Sequence, residues 1–185
     1  MGRWQPDARE RMTQAALELF AERGFAQTTA SDIAERAGVT ERTFFRYFAD
    51  KREVLFDGSE VLASAARDAT LAAPQGLSPL DAALAGVRAA AGLLEDRHEH
   101  AVRRSGIIAA NPTLQERELL KMASMTEAMA EALRSRGATE PAAGLAAHSA
   151  VTVFQVAFSH WVAARRPGRL AARIDETATA LRAVT

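Results

Sequence analysis

The chain has 185 residues, 48 % of them hydrophobic, with 23 basic and 23 acidic side chains and a net charge of zero. That is enough apolar material for one large core or two small ones, and the neutral balance excludes a broadly basic coat for nucleic acid. There is no cysteine, which excludes disulfides, thiol nucleophiles and cysteine-based zinc sites. No basic-then-apolar leader opens the sequence, so a cytoplasmic location is expected. Met1-Gly2 suggests myristoylation, but Pro6 stands where that motif wants Ser or Thr.

A first helix is predicted from Asp7, with Glu10 as its capping partner, Gly24 past its end, and Met12, Ala16, Leu19 and Phe20 facing inward. Thr29 then caps a second, short helix, with Asp32 three residues on as its capping-box partner. Ile33 and Ala37 share one face of it, and Ala34 leaves room for a close neighbour. Gly38 supplies the left-handed conformation of a sharp exit, and Val39 plugs the turn. Thr40 caps a third helix with Phe44 and Phe48 on its buried side. The order small residue, glycine, large apolar residue at Ala34, Gly38 and Phe44 is the spacing of a helix-turn-helix.

A helical hairpin that binds nothing would share that glycine, so the outward face of the third helix decides. It offers Thr40, Arg42, Thr43, Phe45, Arg46 and Tyr47, with Lys51 just beyond. These side chains suit phosphate contact, bidentate readout of guanine and packing on thymine methyls. The first 57 residues carry nine Lys and Arg against ten Asp and Glu, yet from Arg42 to Arg52 there are four basic residues and one acid, Asp50. Binding through a few phosphate contacts per subunit is expected.

The rest reads as helix throughout. A fourth helix is predicted over Lys51 to Ala73, broken by Pro74-Gln75-Gly76. Ser78-Pro79-Leu80-Asp81 starts the next, which carries Leu84 and Val87 and continues into the basic, histidine-rich stretch His98 to Arg104. Asn111-Pro112 marks a boundary. Helices follow over Thr113 to Arg136, Pro141 to Arg165 and Arg169 to Val184. No segment alternates with period two, so the fold is all-α, with about nine helices. The stretch Ala142 to Ala164 is long and apolar enough to span a membrane, but His148, Gln155 and His160 and its alanine content mark it as a buried helix instead. In a two-fold dimer, it and the last helix would pair with their copies.

At this point the sequence resembles the tetracycline-repressor (TetR) family of transcriptional regulators. The residues that carry the resemblance are ALELFAERGFAQTT, Ala16 to Thr29, and IAERAGVTERTFFRYFADKREVLF, Ile33 to Phe56. The resemblance implies a three-helix DNA-binding domain over residues 1–50 and a helical ligand-binding and dimerisation domain over 51–185. It implies that Thr29 hydrogen-bonds a phosphate and that Thr40, Arg42, Thr43 and Phe45 face bases or the nearby backbone. Tyr47 and Lys51 would contact phosphates. Arg46 either reaches phosphate or folds back onto Glu35 or Asp50.

The resemblance also implies a homodimer through the last two helices and a ligand cavity in the second domain. Its candidate lining is Met122, Met125, Met129, Phe154, Phe158 and Trp161, with Arg103, Arg104, His148 and Gln155 as polar contacts. Methionine adapts to varied shapes, although such a stripe is more often plain core. His148 and Gln155, seven apart on one face, either orient a ligand or hydrogen-bond across the dimer. The segment IIAANPTLQERELLKM, Ile107 to Met122, and the later FSHWVA are similar to the C-terminal domain of the mycofactocin-system branch of the family, some members of which respond to acyl-coenzyme A. His98 and His100 do not converge on a helix, so no metal is expected.

These features predict a ligand-responsive homodimeric repressor that binds a near-palindromic double-stranded DNA operator, its two reading helices about 34 Å apart or a small multiple of that. An activator, or a regulator without an effector, fits the same residues. An enzyme does not: there is no cysteine nucleophile, no phosphate-binding glycine loop and no histidine-carboxylate metal motif. No catalytic residue or cofactor is therefore assigned. A protein-binding helical adaptor would have little use for the exposed arginines and aromatics of the third helix.

Overall fold

A computed structural model describes residues 7–184; the Gly2 to Pro6 motif lies outside the described residues. Among these, all regular structure is helical. Helices α1 (Ala8–Arg23), α2 (Ala30–Arg36) and α3 (Glu41–Tyr47) are followed by a 3-10 turn at Glu53–Phe56. Then come α4 (Ser59–Ala72), α5 (Pro79–Gly92), a second 3-10 turn at Glu95–Arg97, α6 (His98–Ala109), α7 (Pro112–Ser135), α8 (Ala142–Ala163) and α9 (Leu170–Val184). The all-α expectation of about nine helices is met.

Two predicted helices are broken. The one expected over Lys51 to Ala73 is a 3-10 turn, then Asp57, then Gly58 at φ 83°, and only then α4. Glycine adopts that left-handed conformation without a Cβ penalty, so the chain changes direction there. The one expected to run on from Ser78 to Arg104 stops at Gly92, and α6 starts afresh at His98.

The chain forms two compact units. The first holds the described residues up to Asp57 together with Arg103–Glu116; the second holds Gly58–Val102 and the chain from Arg117 onward. In the first unit Met12, Leu19, Phe20, Ile33, Phe44 and Phe48 share one core with Val54, Leu55 and Phe56, and with Ile108 and Leu114 from much later in the sequence. The boundary expected at residues 50 and 51 falls before Val54, Leu55 and Phe56.

The second unit is built on α5 and α8. Ser78 Oγ accepts from the amide of Asp81 at 3.1 Å, with Pro79 at the first helical position, so α5 starts as its sequence requires. Its Ala82, Ala83, Leu84, Gly86, Val87, Ala90 and Ala91 are buried. Small side chains let α4 come close: a Cβ on Gly86 would lie 2.2 Å from Thr70 Oγ1 and 2.5 Å from the Ala66 carbonyl oxygen. Helix α8 buries nine residues, ending on Trp161, whose indole donates to the Gly168 carbonyl at 3.1 Å. His98 Nε2 lies 3.0 Å from the Trp161 carbonyl oxygen, with the two rings edge to face. Arg136, at the end of α7, donates to the carbonyls of Leu71 (3.0 Å) and Pro74 (2.9 Å), which satisfies acceptors left open where α4 ends.

Two glycines of α5 should respond oppositely to alanine. At Gly86 the added methyl overpacks the α4–α5 contact, and a loss of about 1–3 kcal/mol is expected. At Gly92 an added Cβ would meet nothing within 4 Å, and a gain of roughly 0.5 kcal/mol is expected from the stiffer unfolded chain. Thermal unfolding of Gly86→Ala and Gly92→Ala checks both; equal melting temperatures would contradict the close approach.

Candidate nucleic-acid interface

The reading surface is set by how α2 ends and α3 begins. Thr29 and Asp32 form a reciprocal capping box: the Asp32 amide donates to Thr29 Oγ1 at 3.1 Å, and the Thr29 amide donates to Asp32 Oδ2 at 2.8 Å. At the other end, the Gly38 amide donates to Glu35 and the Val39 amide to Ala34, with Gly38 at φ 67°. This pair of bonds is the Schellman motif, and it needs a residue that tolerates positive φ. Arg11 Nε donates to the Ala37 carbonyl at 3.1 Å, which ties α1 to the same turn. Arg36 pairs with Glu22 at 2.9 Å and Glu18 at 3.4 Å across α1 and α2.

Thr40 caps α3, accepting from the Thr43 amide at 3.1 Å; its hydroxyl is 2.9 Å from that of Thr43. Phe44 is fully buried and packs on Phe48 with ring centroids 5.5 Å apart. With these two inward, Arg42, Phe45, Arg46 and Tyr47 are exposed, Phe45 at 51 % and Tyr47 at 37 %. Arg42, Thr43, Phe45 and Arg46 line an open groove of about 440 Å³. The Arg46 guanidinium lies over the Tyr47 ring, 4.9 Å from its centroid, and its Nη2 donates to the Tyr47 hydroxyl at 3.3 Å. It thus folds onto Tyr47 rather than onto Glu35 or Asp50.

The other cations near α3 are engaged within the protein. Arg52 holds Asp50 through Nε at 3.0 Å and Nη2 at 2.6 Å, which keeps the Asp50 carboxyl below the usual carboxylate range. Lys51 turns onto the loop between α1 and α2, where Nζ donates to the carbonyls of Phe25 and Thr28, each at 2.7 Å, and of Ala26 at 3.3 Å. Thr29 spends both its amide and its hydroxyl on Asp32. The residues expected around the helix-turn-helix therefore fall into an outward set on α3 and two residues with partners inside the protein, Thr29, which stays exposed, and the half-buried Lys51.

Sequence reasoning missed the contribution of 103–116 to this unit. Arg104 Nε donates to the Leu55 carbonyl at 2.6 Å, and its guanidinium sits over the Phe56 ring, 5.1 Å from the centroid. Ile108 and Leu114 are buried in the same core cluster as Phe44 and Phe48. No local signal marks them, because their partners lie some fifty residues earlier in the chain.

The ligand candidates divide as well. Met125, Met129, Phe154 and Trp161 are buried in the core of the second unit, with Met122 and Phe158 packed at its edge. Phe158 stacks on Phe154 with centroids 5.9 Å apart. His148 and Gln155 lie on the exposed face of α8, turned away from those side chains, and Arg103 is exposed in the first unit. No group of three or more metal-ligating side chains occurs among the described residues.

A capped, seven-residue helix that with its C-cap Phe48 buries two phenylalanines and presents arginines, threonines and aromatics is the reading element of a helix-turn-helix DNA-binding domain. Residues 13–57 match the bacterial regulatory proteins of the tetR family, and residues 77–185 match the MftR C-terminal domain. The chain belongs to the TetR family and is a DNA-binding transcriptional regulator with an MftR-type C-terminal domain, not an enzyme.

It is 39 % identical over 88 residues to the HTH-type transcriptional regulator TcmR of Streptomyces glaucescens, a match that covers 48 % of this chain and 39 % of TcmR. The chain thus spans about two fifths of that relative's length. Among solved structures it is similar to Thermus thermophilus FadR, a TetR-family repressor in complex with lauroyl-CoA, at 26 % identity and a TM-score of 0.58, over 94 % of this chain and 92 % of that one. It also shares its fold with the fatty acid degradation regulator FadR of Bacillus halodurans, at 18 % identity and a TM-score of 0.63, over 97 % and 96 % of the two chains.

The capping box makes a pH prediction. Hydrogen bonds from Thr29, side chain first and backbone second, hold the Asp32 carboxyl below its ordinary value. Its contribution to stability is therefore present above the unfolded pKa of about 3.9 and is lost as pH falls through the lower folded value. Asp32→Asn should flatten the acid limb of the unfolding curve; an unchanged limb would contradict the network.

Proposed function

We propose that the protein is a homodimeric, ligand-responsive repressor that binds a near-palindromic operator through α3 of each subunit. The observation that carries this is the exposed α3 face: Arg42 and Arg46 beside Phe45, Tyr47 and the Thr40–Thr43 hydroxyl pair. Arg42 is the base reader, suited to the paired acceptors of guanine, and Phe45 packs on a thymine methyl. Tyr47, Arg46 and the α3 cap hold the phosphates on either side. Lys51 supports this face from the loop before α2, and Thr29, exposed at the start of α2, caps that helix. A regulator of this kind works on the chromosome, in the bacterial cytoplasm.

Two subunits pair through α8 and α9. The outer face of α8 carries Leu145, 64 % exposed, and Val156, 41 % exposed, with His148, Thr152 and Gln155 between them at helical spacing. On α9 the matching exposed line is Ala172, Glu176, Thr179 and Ala183. Small and apolar side chains at that spacing favour close helix packing, and His148 and Gln155 supply hydrogen bonds across the two-fold axis.

The effector is a small apolar or amphipathic molecule, accommodated by repacking of Met122, Met125 and Met129 around Phe154, Phe158 and Trp161. Methionine adapts to such shapes. The lauroyl-CoA carried by the Thermus thermophilus protein makes an acyl-coenzyme A the first to try. DNA and effector then favour different populations of one dimer, and each weakens the other by the same factor.

A gel shift on DNA upstream of its own gene, at low salt, should show a complex that lauroyl-CoA dissolves. Absence of any shift would count against the regulator, and a complex stable to saturating lauroyl-CoA would remove that effector class. Arg42→Ala should weaken the complex by roughly 1–3 kcal/mol and relax one base preference; unchanged affinity would take Arg42 out of the interface. Sedimentation at micromolar concentration should give a dimer that Val156→Arg dissociates, whereas a wild-type monomer would defeat the pairing.

A further inference from the structure

The side chain of Lys51 departs from the rest of the basic cluster. It follows the end of α3, yet its ammonium points back to the loop that leads into α2. There it donates to three carbonyls, those of Phe25 and Thr28 at 2.7 Å and of Ala26 at 3.3 Å. An ammonium has three protons, so these bonds use its whole donor capacity. Its Nζ also sits 4.5 Å from the Phe25 ring centroid, and that ring packs edge to face on Phe20 of α1. The opposite side of the loop is held by Thr28, fully buried, whose hydroxyl donates to the carbonyls of Gly24 at 3.0 Å and Leu19 at 3.3 Å.

The two ends of the helix-turn-helix are therefore tied together. Gly38 joins α2 to α3 on one side, and Lys51 joins the chain leaving α3 to the chain entering α2 on the other. We propose that Lys51 is a positioning residue of the DNA reader: it fixes α2 and α3 against α1 through the 25–28 loop, and it does not contact phosphate. The proposal rests on the DNA-reading role. Thr29, next along the chain, belongs to the same closed network, because its amide and hydroxyl are held by Asp32. To bind phosphate, Lys51 would have to give up at least one of these three carbonyl bonds. Burial lowers the Lys51 pKa, while Asp32 and Asp50 favour its charged form.

The test separates the two roles by their salt dependence. Lys51→Met keeps the stem over Phe25 and removes the three donors. Operator binding of the full-length protein is measured from low to moderate salt, together with amide exchange of residues 25–29 in the free protein. A positioning role predicts affinity about tenfold lower at every salt concentration, a slope of log K against log salt equal to the wild type, and faster exchange in the loop. Lys51→Gln, which retains two donors, should recover part of the affinity and of the protection. A slope shallower by about 0.9 per subunit would identify a lost phosphate contact and overturn the proposal; so would unchanged affinity or unchanged exchange. If Lys51→Met does not fold, the Lys51→Gln slope decides in the same way. Failure of the wild type to bind DNA defeats the regulator itself, whereas a changed slope in the variant defeats only the positioning role.

Discussion

The reading surface depends on one packing event, the burial of Phe44. Helix α3 has only seven residues, far too few to be stable alone in water. It exists because Phe44 and Phe48 enter the core formed by Met12, Leu19, Phe20 and Ile33. Burying a side chain of this size is worth about 1.5–3 kcal/mol. Successive helical residues are about 100° apart, so once Phe44 faces inward, the directions of Arg42, Phe45 and Arg46 follow. The polar face of α3 is thus fixed by its apolar one. The Schellman bonds at Gly38 and the Thr40 cap then set the angle at which α3 leaves α2.

Electrostatics narrow that face further. Most cations around it are already committed: Arg9 to Asp57 at 2.6 Å, Arg36 to Glu18 and Glu22, Arg52 to Asp50, and Lys51 to backbone carbonyls. Exposed pairs of this kind stabilise a fold by about 0–1 kcal/mol each. The carboxylate pairs have their larger effect on the field outside the protein, where they cancel charge beside the reading helix. On α3 itself, Arg42 and Arg46 carry positive charge with no carboxylate partner among the described residues, in the middle of the exposed face. A chain with no net charge can therefore still present a local cationic patch.

The sequence was most legible where a structural requirement is local. The Thr29–Asp32 box, Gly38, the Ser78-Pro79-Asp81 start and the inward Phe44 and Phe48 each follow from residues within a turn or two, and the structure contains them all. The breaks at Gly58 and Gly92 were hidden because alanine-rich helical periodicity runs through both. At Gly58 the sign was Asp57-Gly58 itself, outweighed by the apolar run Val54 to Phe56. Side-chain direction was the hardest to read. Lys51 and Arg52 look like two more outward cations; partners 23 and 26 residues earlier in the chain turn Lys51 onto Phe25 to Thr28, whereas Arg52 turns onto Asp50 beside it. His148 and Gln155 share a helix face with each other, as their spacing indicated, but the burial of Phe154 and Trp161 decides that this face points outward.

The segment Arg103–Glu116 has a consequence for how the protein is made. Ile108 and Leu114 belong to the same core as Phe44, and Arg104 covers Phe56 while its guanidinium bonds Leu55, 49 residues back in the chain. A ribosome-bound chain that has emerged only as far as Asp57 holds the complete helix-turn-helix sequence but not the side chains that seal it. The order of synthesis therefore places Gly58–Val102 of the second unit between the start and the completion of the first. Loop-closure entropy grows only logarithmically with that separation, so the delay is set more by translation than by thermodynamics. A nascent chain acquires its finished DNA-reading surface only after residue 114 is free to fold.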